Sequence, residues 1–112
     1  MATNNYPNDD NGDALRNMEA LGDDLSKERD INFSVAFTDI SSSAKFLEAA
    51  ERDGLRAKQE PDSATESMWD VTVTVYMVPS HEAITQMERR LDKIASPLGG
   101  WNDGWGCFDV KS

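Results

Sequence analysis

Hydrophobic and polar residues alternate most regularly over Trp69–Met77, WDVTVTVYM. Trp69, Val71, Val73, Val75 and Met77 fall on one side of a pleat, and Asp70, Thr72, Thr74 and Tyr76 on the other. Successive strand side chains point to opposite faces, and this run is rich in β-branched and aromatic residues, so it predicts a half-buried strand. Ile31, Phe33, Val35 and Phe37 alternate with Asn32, Ser34 and Ala36 and predict a second strand. Three stretches carry helical spacing instead. Ala14, Leu15, Met18, Leu21 and Leu25 predict a helix over about 12–21, ended by Gly22. Ala44, Phe46, Leu47 and Ala50 share a second helical face, opened by Asp39 or Ser41 and closed by Gly54. Ile84, Met87, Leu91, Ile94 and Leu98 step by three and four along a third, for which Ser80 is the N-cap.

The remaining segments are weaker in pattern. Asp23–Asp30 is charged and reads as a connector, Leu55–Gln59 as an edge strand, and Pro61–Ser67 as a turn-rich loop. Trp101–Val110 reads as a last strand whose glycines predict a bulge or a close backbone approach. After the leading helix the order is β-α-β-β-α-β. The expected fold is therefore α+β, a ferredoxin-like sandwich with a four-stranded antiparallel sheet, two helices on one face, and an added N-terminal helix. The first and third strands, with the strongest alternation, are expected in the middle. Residues 1–10 read as a flexible acidic leader and 11–112 as a single domain.

Charge narrows the function classes. The 112 residues hold 21 acidic and 11 basic side chains, for a formal charge of −10, which opposes approach to a phosphate backbone and favours a basic protein surface. RNA-recognition modules share this strand order but stack bases on aromatic residues of the two central strands. The corresponding outward positions here are Asn32, Ser34, Ala36, Asp70, Thr72, Thr74 and Tyr76, which offer one aromatic ring. No direct nucleic-acid ligand is expected. The single cysteine, Cys107, excludes a disulfide within the chain. With no basic leader and no long apolar run, it fits a cytoplasmic protein that does not enter a membrane.

Catalytic chemistry finds little purchase. His81 beside Glu82, and Cys107 on the last strand, are residue types used by nucleophilic enzymes, but nothing in the spacing unites them. One His and one Cys do not make a zinc site. Asp9, Asp10, Asp13, Asp23 and Asp24 lack the glycine and terminal glutamate of a calcium loop. No catalytic, cofactor or metal residue is assigned, and no enzyme is expected. Trp101 and Trp105 suit either a core or a binding anchor.

Three segments carry a family resemblance: NDGWGCF in the last strand, VTVTVYMVPSHEAIT at the strand-to-helix junction, and GDDLSKERDINF earlier. Together, from about Gly12 to Phe108, they resemble the RraB family, regulators of ribonuclease E activity. The resemblance implies a ferredoxin-like sandwich and a non-catalytic protein that binds ribonuclease E and restrains its endonucleolytic action. Asp103, Gly104, Trp105 and Gly106 match the family signature and are candidate protein-binding residues. Asp23 and Asp24 join them as part of an acidic stretch that would attract a basic tract of the partner. The alternative reading is a self-associating module whose outward sheet residues Asn32, Ser34, Thr72 and Thr74 form a two-fold dimer. An enzyme on small polar metabolites comes third.

Overall fold

Residues 6–61 and 68–107 are described in a computed structural model. The leader residues 1–5, most of the loop expected over 61–67, and the end of the last strand at 108–110 lie outside them. In chain order the elements are α1 (Asp10–Ala20), β1 (Arg29–Phe37), α2 (Ile40–Arg52), β2 (Arg56–Pro61), β3 (Trp69–Met77), α3 (His81–Ala95), a 3-10 turn (Ser96–Leu98) and β4 (Trp101–Gly106).

The strands form one antiparallel sheet in the order β2-β3-β1-β4. The two strongly alternating strands are central, paired from Arg29↔Met77 to Phe37↔Trp69. That register puts Ile31, Phe33, Val35 and Phe37 on the same face as Val71 and Val73, and all six are buried. Phe46 and Ala50 of α2 and Ile84, Leu91 and Ala95 of α3 complete one continuous core with them. Removing each large apolar side chain from water contributes about 1.5–3 kcal/mol. The remaining β3 outward positions, Asp70, Thr72, Thr74 and Tyr76, alternate with that core as the pattern predicts. Trp69 is only half-buried, at the end of its strand.

Helix starts follow side-chain capping. Asp9 accepts from the Gly12 N–H at 2.7 Å, Asp39 from Ser42 at 2.6 Å, and Ser80 from Ala83 at 3.1 Å. Each satisfies a backbone donor that has no partner inside its helix. The first helix begins at Asp10, two residues before the sequence places it, because Asp9 supplies the cap. Residues 6–9, placed in the leader by sequence, also bind the body of the chain. Tyr6 packs at the margin of the core, and the Arg16 guanidinium donates to the Tyr6 carbonyl at 2.9 Å. At the other end of the helix Gly22, at φ 91°, lets the chain turn so that the Asp23 N–H reaches the Met18 carbonyl.

Three carboxylates, those of Asp9, Asp24 and Asp39, are held below the ordinary carboxylate range. The Gly12 N–H and then His81 do this at Asp9, the Ser26 hydroxyl and N–H at Asp24, and the Ser42 N–H and hydroxyl at Asp39. A depressed folded value contributes stability above the unfolded value and loses it as pH falls through the folded one. Denaturant midpoints are therefore expected to fall on acidification below about pH 4, and Asn at positions 9, 24 and 39 to flatten that decline while keeping a capping oxygen. An equally steep decline in the triple variant would show that other carboxylates carry it.

Candidate functional site

In β4 the sequence WNDGWG determines which faces its side chains reach. Trp101 opposes Ala36 and Asn102 opposes Val35, while Trp105 opposes Phe33 and Gly106 opposes Asn32. Asn102 and Trp105 are three apart, and in a regular strand they would face opposite ways. They share the core side because Asp103 and Gly104 together stand against Ser34, a β-bulge made possible by Gly104 at φ 103°. The bulge that the glycines predict thus sorts the two tryptophans. Trp101 lies on the outward face, 41% exposed, and Trp105 packs half-buried against the core.

Behind the bulge a polar junction ties three elements. The Trp105 indole N–H donates to Asn11 Oδ1 at 2.8 Å, and Asn11 Nδ2 donates to Thr85 Oγ1 at 3.2 Å and to Glu88 Oε1 at 2.6 Å. Asn102 Nδ2 donates to the Glu88 carbonyl at 2.9 Å. One asparagine of α1 is thereby bonded to both α3 and β4. Nearby, Asp9 holds His81 Nε2 at 2.9 Å, a second clasp between the start of α1 and the start of α3. An open groove of about 500 Å³ runs along α3 past this junction, lined by Thr85, Glu88, Arg89, Asp92, Lys93 and Asn102.

The expected site residues separate by environment. Asp103, Gly104 and Gly106 are exposed at the bulge and beside it, whereas Trp105 is committed to Asn11. Asp23 is buried, and both of its oxygens accept from Arg29 Nη1 at 2.8 Å. Asp24 stays at the surface, accepting from the Ser26 N–H and hydroxyl, while its carbonyl accepts from Arg29 Nη2 at 2.8 Å. Cys107, just beyond β4, interacts with the Arg29 side chain and favours its charged form. Burial acts to lower the Arg29 pKa, but Asp23, with Cys107, raises it overall. The turn at 23–24 is thus fastened to the end of the bulged strand through one guanidinium. Sequence reasoning missed Asn11 and Arg29, whose partners lie in other elements.

His81 and Cys107 are thus engaged by different groups, Asp9 and Arg29. Among the described residues no group of three His, Cys, Asp or Glu side chains is arranged to hold a metal ion. No described helix is long and apolar enough to cross a membrane. What the arrangement offers is surface: an acidic outer side on α1, a groove beside α3, and a sheet face edged by the bulge.

The statistical model of the RraB family, described as Regulator of ribonuclease activity B, matches residues 8–107. The chain belongs to the RraB family. A comparison with curated proteins gave no match. The family match extends from the residue before the Asp9 cap to Cys107, so it takes in the Asn11 junction, the Arg29 fastening and the bulge of this RraB domain. The family description is that of a regulator of ribonuclease activity.

Proposed function

We propose that the chain is a non-catalytic, cytoplasmic protein-binding regulator that docks on a ribonuclease E-like endonuclease and restrains its cleavage of RNA. The observation that carries this reading is the family match across residues 8–107. The ferredoxin-like reading of the fold goes with it, supported by the strand order and by one core fed from both α2 and α3. A formal charge of −10 favours encounter with a basic segment of the enzyme.

The docking flank is α1 and the turn after it. Asp10, Asp13 and Asn17 recur along the exposed side of the helix, and the Asp24 carboxylate stands beyond its end. Asp23 and Trp105 serve this flank from behind, one by fixing the turn through Arg29 and the other by holding Asn11. Trp105 is thus a positioning residue for the flank and not its aromatic anchor.

The test uses purified ribonuclease E, the intact protein and a fluorogenic single-stranded RNA. Cleavage is expected to slow as the protein is added, and binding to weaken as salt rises. Asn at positions 10 and 13 should slow association by roughly an order of magnitude and flatten the salt dependence. No binding at low salt, or binding indifferent to both neutralisations, would overturn the reading.

A further inference from the structure

The sheet face opposite α2 and α3 carries a charge pattern that the docking flank does not use. Its outward positions run in rows across the four strands. One row is Arg56, Thr74, Asn32 and Gly106; the next is Lys58, Thr72, Ser34 and the Asp103–Gly104 bulge. Two cations, Arg56 and Lys58, therefore stand on the β2 margin beside Glu60, and on the β4 margin the Asp103 carboxylate stands next to Gly104, itself two positions from Gly106. In these two rows the middle is small and polar, and the rows on either side of them hold Asp30 with Tyr76 and Ala36 with Asp70. Gly106 is exposed, its φ is not positive, and a Cβ built there meets nothing within 4 Å. Among the described residues nothing demands glycine at this position. A strand glycine without such a demand leaves room for another backbone to come close.

We propose that this face binds a second copy of the chain, related by a two-fold axis that runs along the strands between β1 and β3. A half-turn about that axis lays β2 of each copy over β4 of the other and keeps every row at its own level. Lys58 then meets the partner copy's bulge carboxylate, and Arg56 lies over the partner copy's bare glycine. Thr72 and Thr74 meet the small serine and asparagine of the facing β1. The match is self-complementary, as a two-fold interface requires, and needs no other molecule. Facing sheets pack about 10 Å apart and twist by about 30°, spacings that a lysine or arginine stem spans. In the single copy Lys58 pairs with Glu60, at 3.2 Å with both side chains more than half exposed, and Arg56 with Asp30 at 3.1 Å. Such exposed pairs are weak and leave Lys58 available for the facing carboxylate and the Arg56 stem free to lie over the facing glycine.

Four strands at about 4.8 Å spacing and six to nine residues long give a face of roughly 500 Å² in projection, at the low end for stable dimers. Dissociation is accordingly expected within the micromolar range, and sedimentation equilibrium from about 1 to 500 µM covers it. The wild type is expected to pass from monomer to dimer over that range, without any ribonuclease present. Lys58→Glu and Asp103→Lys should each weaken the dimer by about tenfold or more, and the two together should restore it, because the swapped charges face each other across the axis. Gly106→Leu should fold normally, by circular dichroism and thermal midpoint, and remain monomeric. A wild type that is monomeric throughout, a charge swap that fails to rescue, or a dimeric leucine variant would overturn the proposal; the first would leave the face to a different protein. Because this surface is separate from α1, ribonuclease inhibition can fail while the dimer stands, and the reverse.

Discussion

Asp23→Ala is expected to lower the unfolding free energy by about 3–5 kcal/mol, a large share of the roughly 5–15 kcal/mol that holds a domain folded. The Asp23 side chain is 0% exposed and that of Arg29 5%, and the guanidinium donates to both carboxylate oxygens at 2.8 Å. Truncating the acid leaves a buried cation with its hydration stripped and its principal anion gone. Arginine cannot escape by losing its proton, since its pKa lies above any accessible pH. The Asp24 carbonyl at 2.8 Å and the Lys27 carbonyl at 3.3 Å are dipoles and cannot replace a full charge. Urea unfolding of Asp23→Ala, Arg29→Met and the combined variant separates the terms. The double variant should be far less unstable than the two losses added, because replacing both partners removes the uncompensated charge. A loss below about 1 kcal/mol for Asp23→Ala would mean that the pair behaves as a surface pair.

That ion pair also marks a limit of sequence reading. DDLSKERD has no periodicity, and its carboxylates look like solvated charge. Whether Asp23 turns inward depends on where Arg29, the first residue of β1, meets the chain after β4. By contrast, Ile31 to Phe37 and the run from Trp69 announce their strands because a period of two has one physical solution when one face is buried. Ile84, Leu91 and Ala95 do the same for α3. The fate of the tryptophans was open for another reason. Alternation alone would place Trp101 and Trp105 on the same face, four residues apart, and the extra residue at the bulge sends them to opposite ones. Asn11 was silent because its acceptors and donors lie 74 to 94 residues away, beyond any local pattern.

Gly100→Ala is expected to be strongly destabilising although it adds only one methyl group. A Cβ at this position would sit 2.3 Å from Phe37 Cε1, 2.7 Å from Cζ and 2.8 Å from Cδ1. The ring cannot swing away: Phe37 is fully buried and packs on Phe46 with centroids 5.3 Å apart and planes tilted by 48°. Relief must come from the backbone, and the next residue, Trp101, begins β4 opposite Ala36. Overpacking of this kind costs about 1–3 kcal/mol, and the cost here should reach the upper end because a strand entry has to move with it. Phe37→Leu shortens the obstructing side chain at its own cost in buried area. In that background the added methyl should be tolerated, so a double-mutant cycle by denaturant unfolding should show a coupling of at least about 1 kcal/mol in the rescuing direction. Strictly additive losses would mean that the ring is not what excludes a side chain at position 100. The contrast with Gly106, where a Cβ meets nothing within 4 Å among the described residues, separates the two glycines by cause: one is required by the Phe37 ring, and the other by no described neighbour.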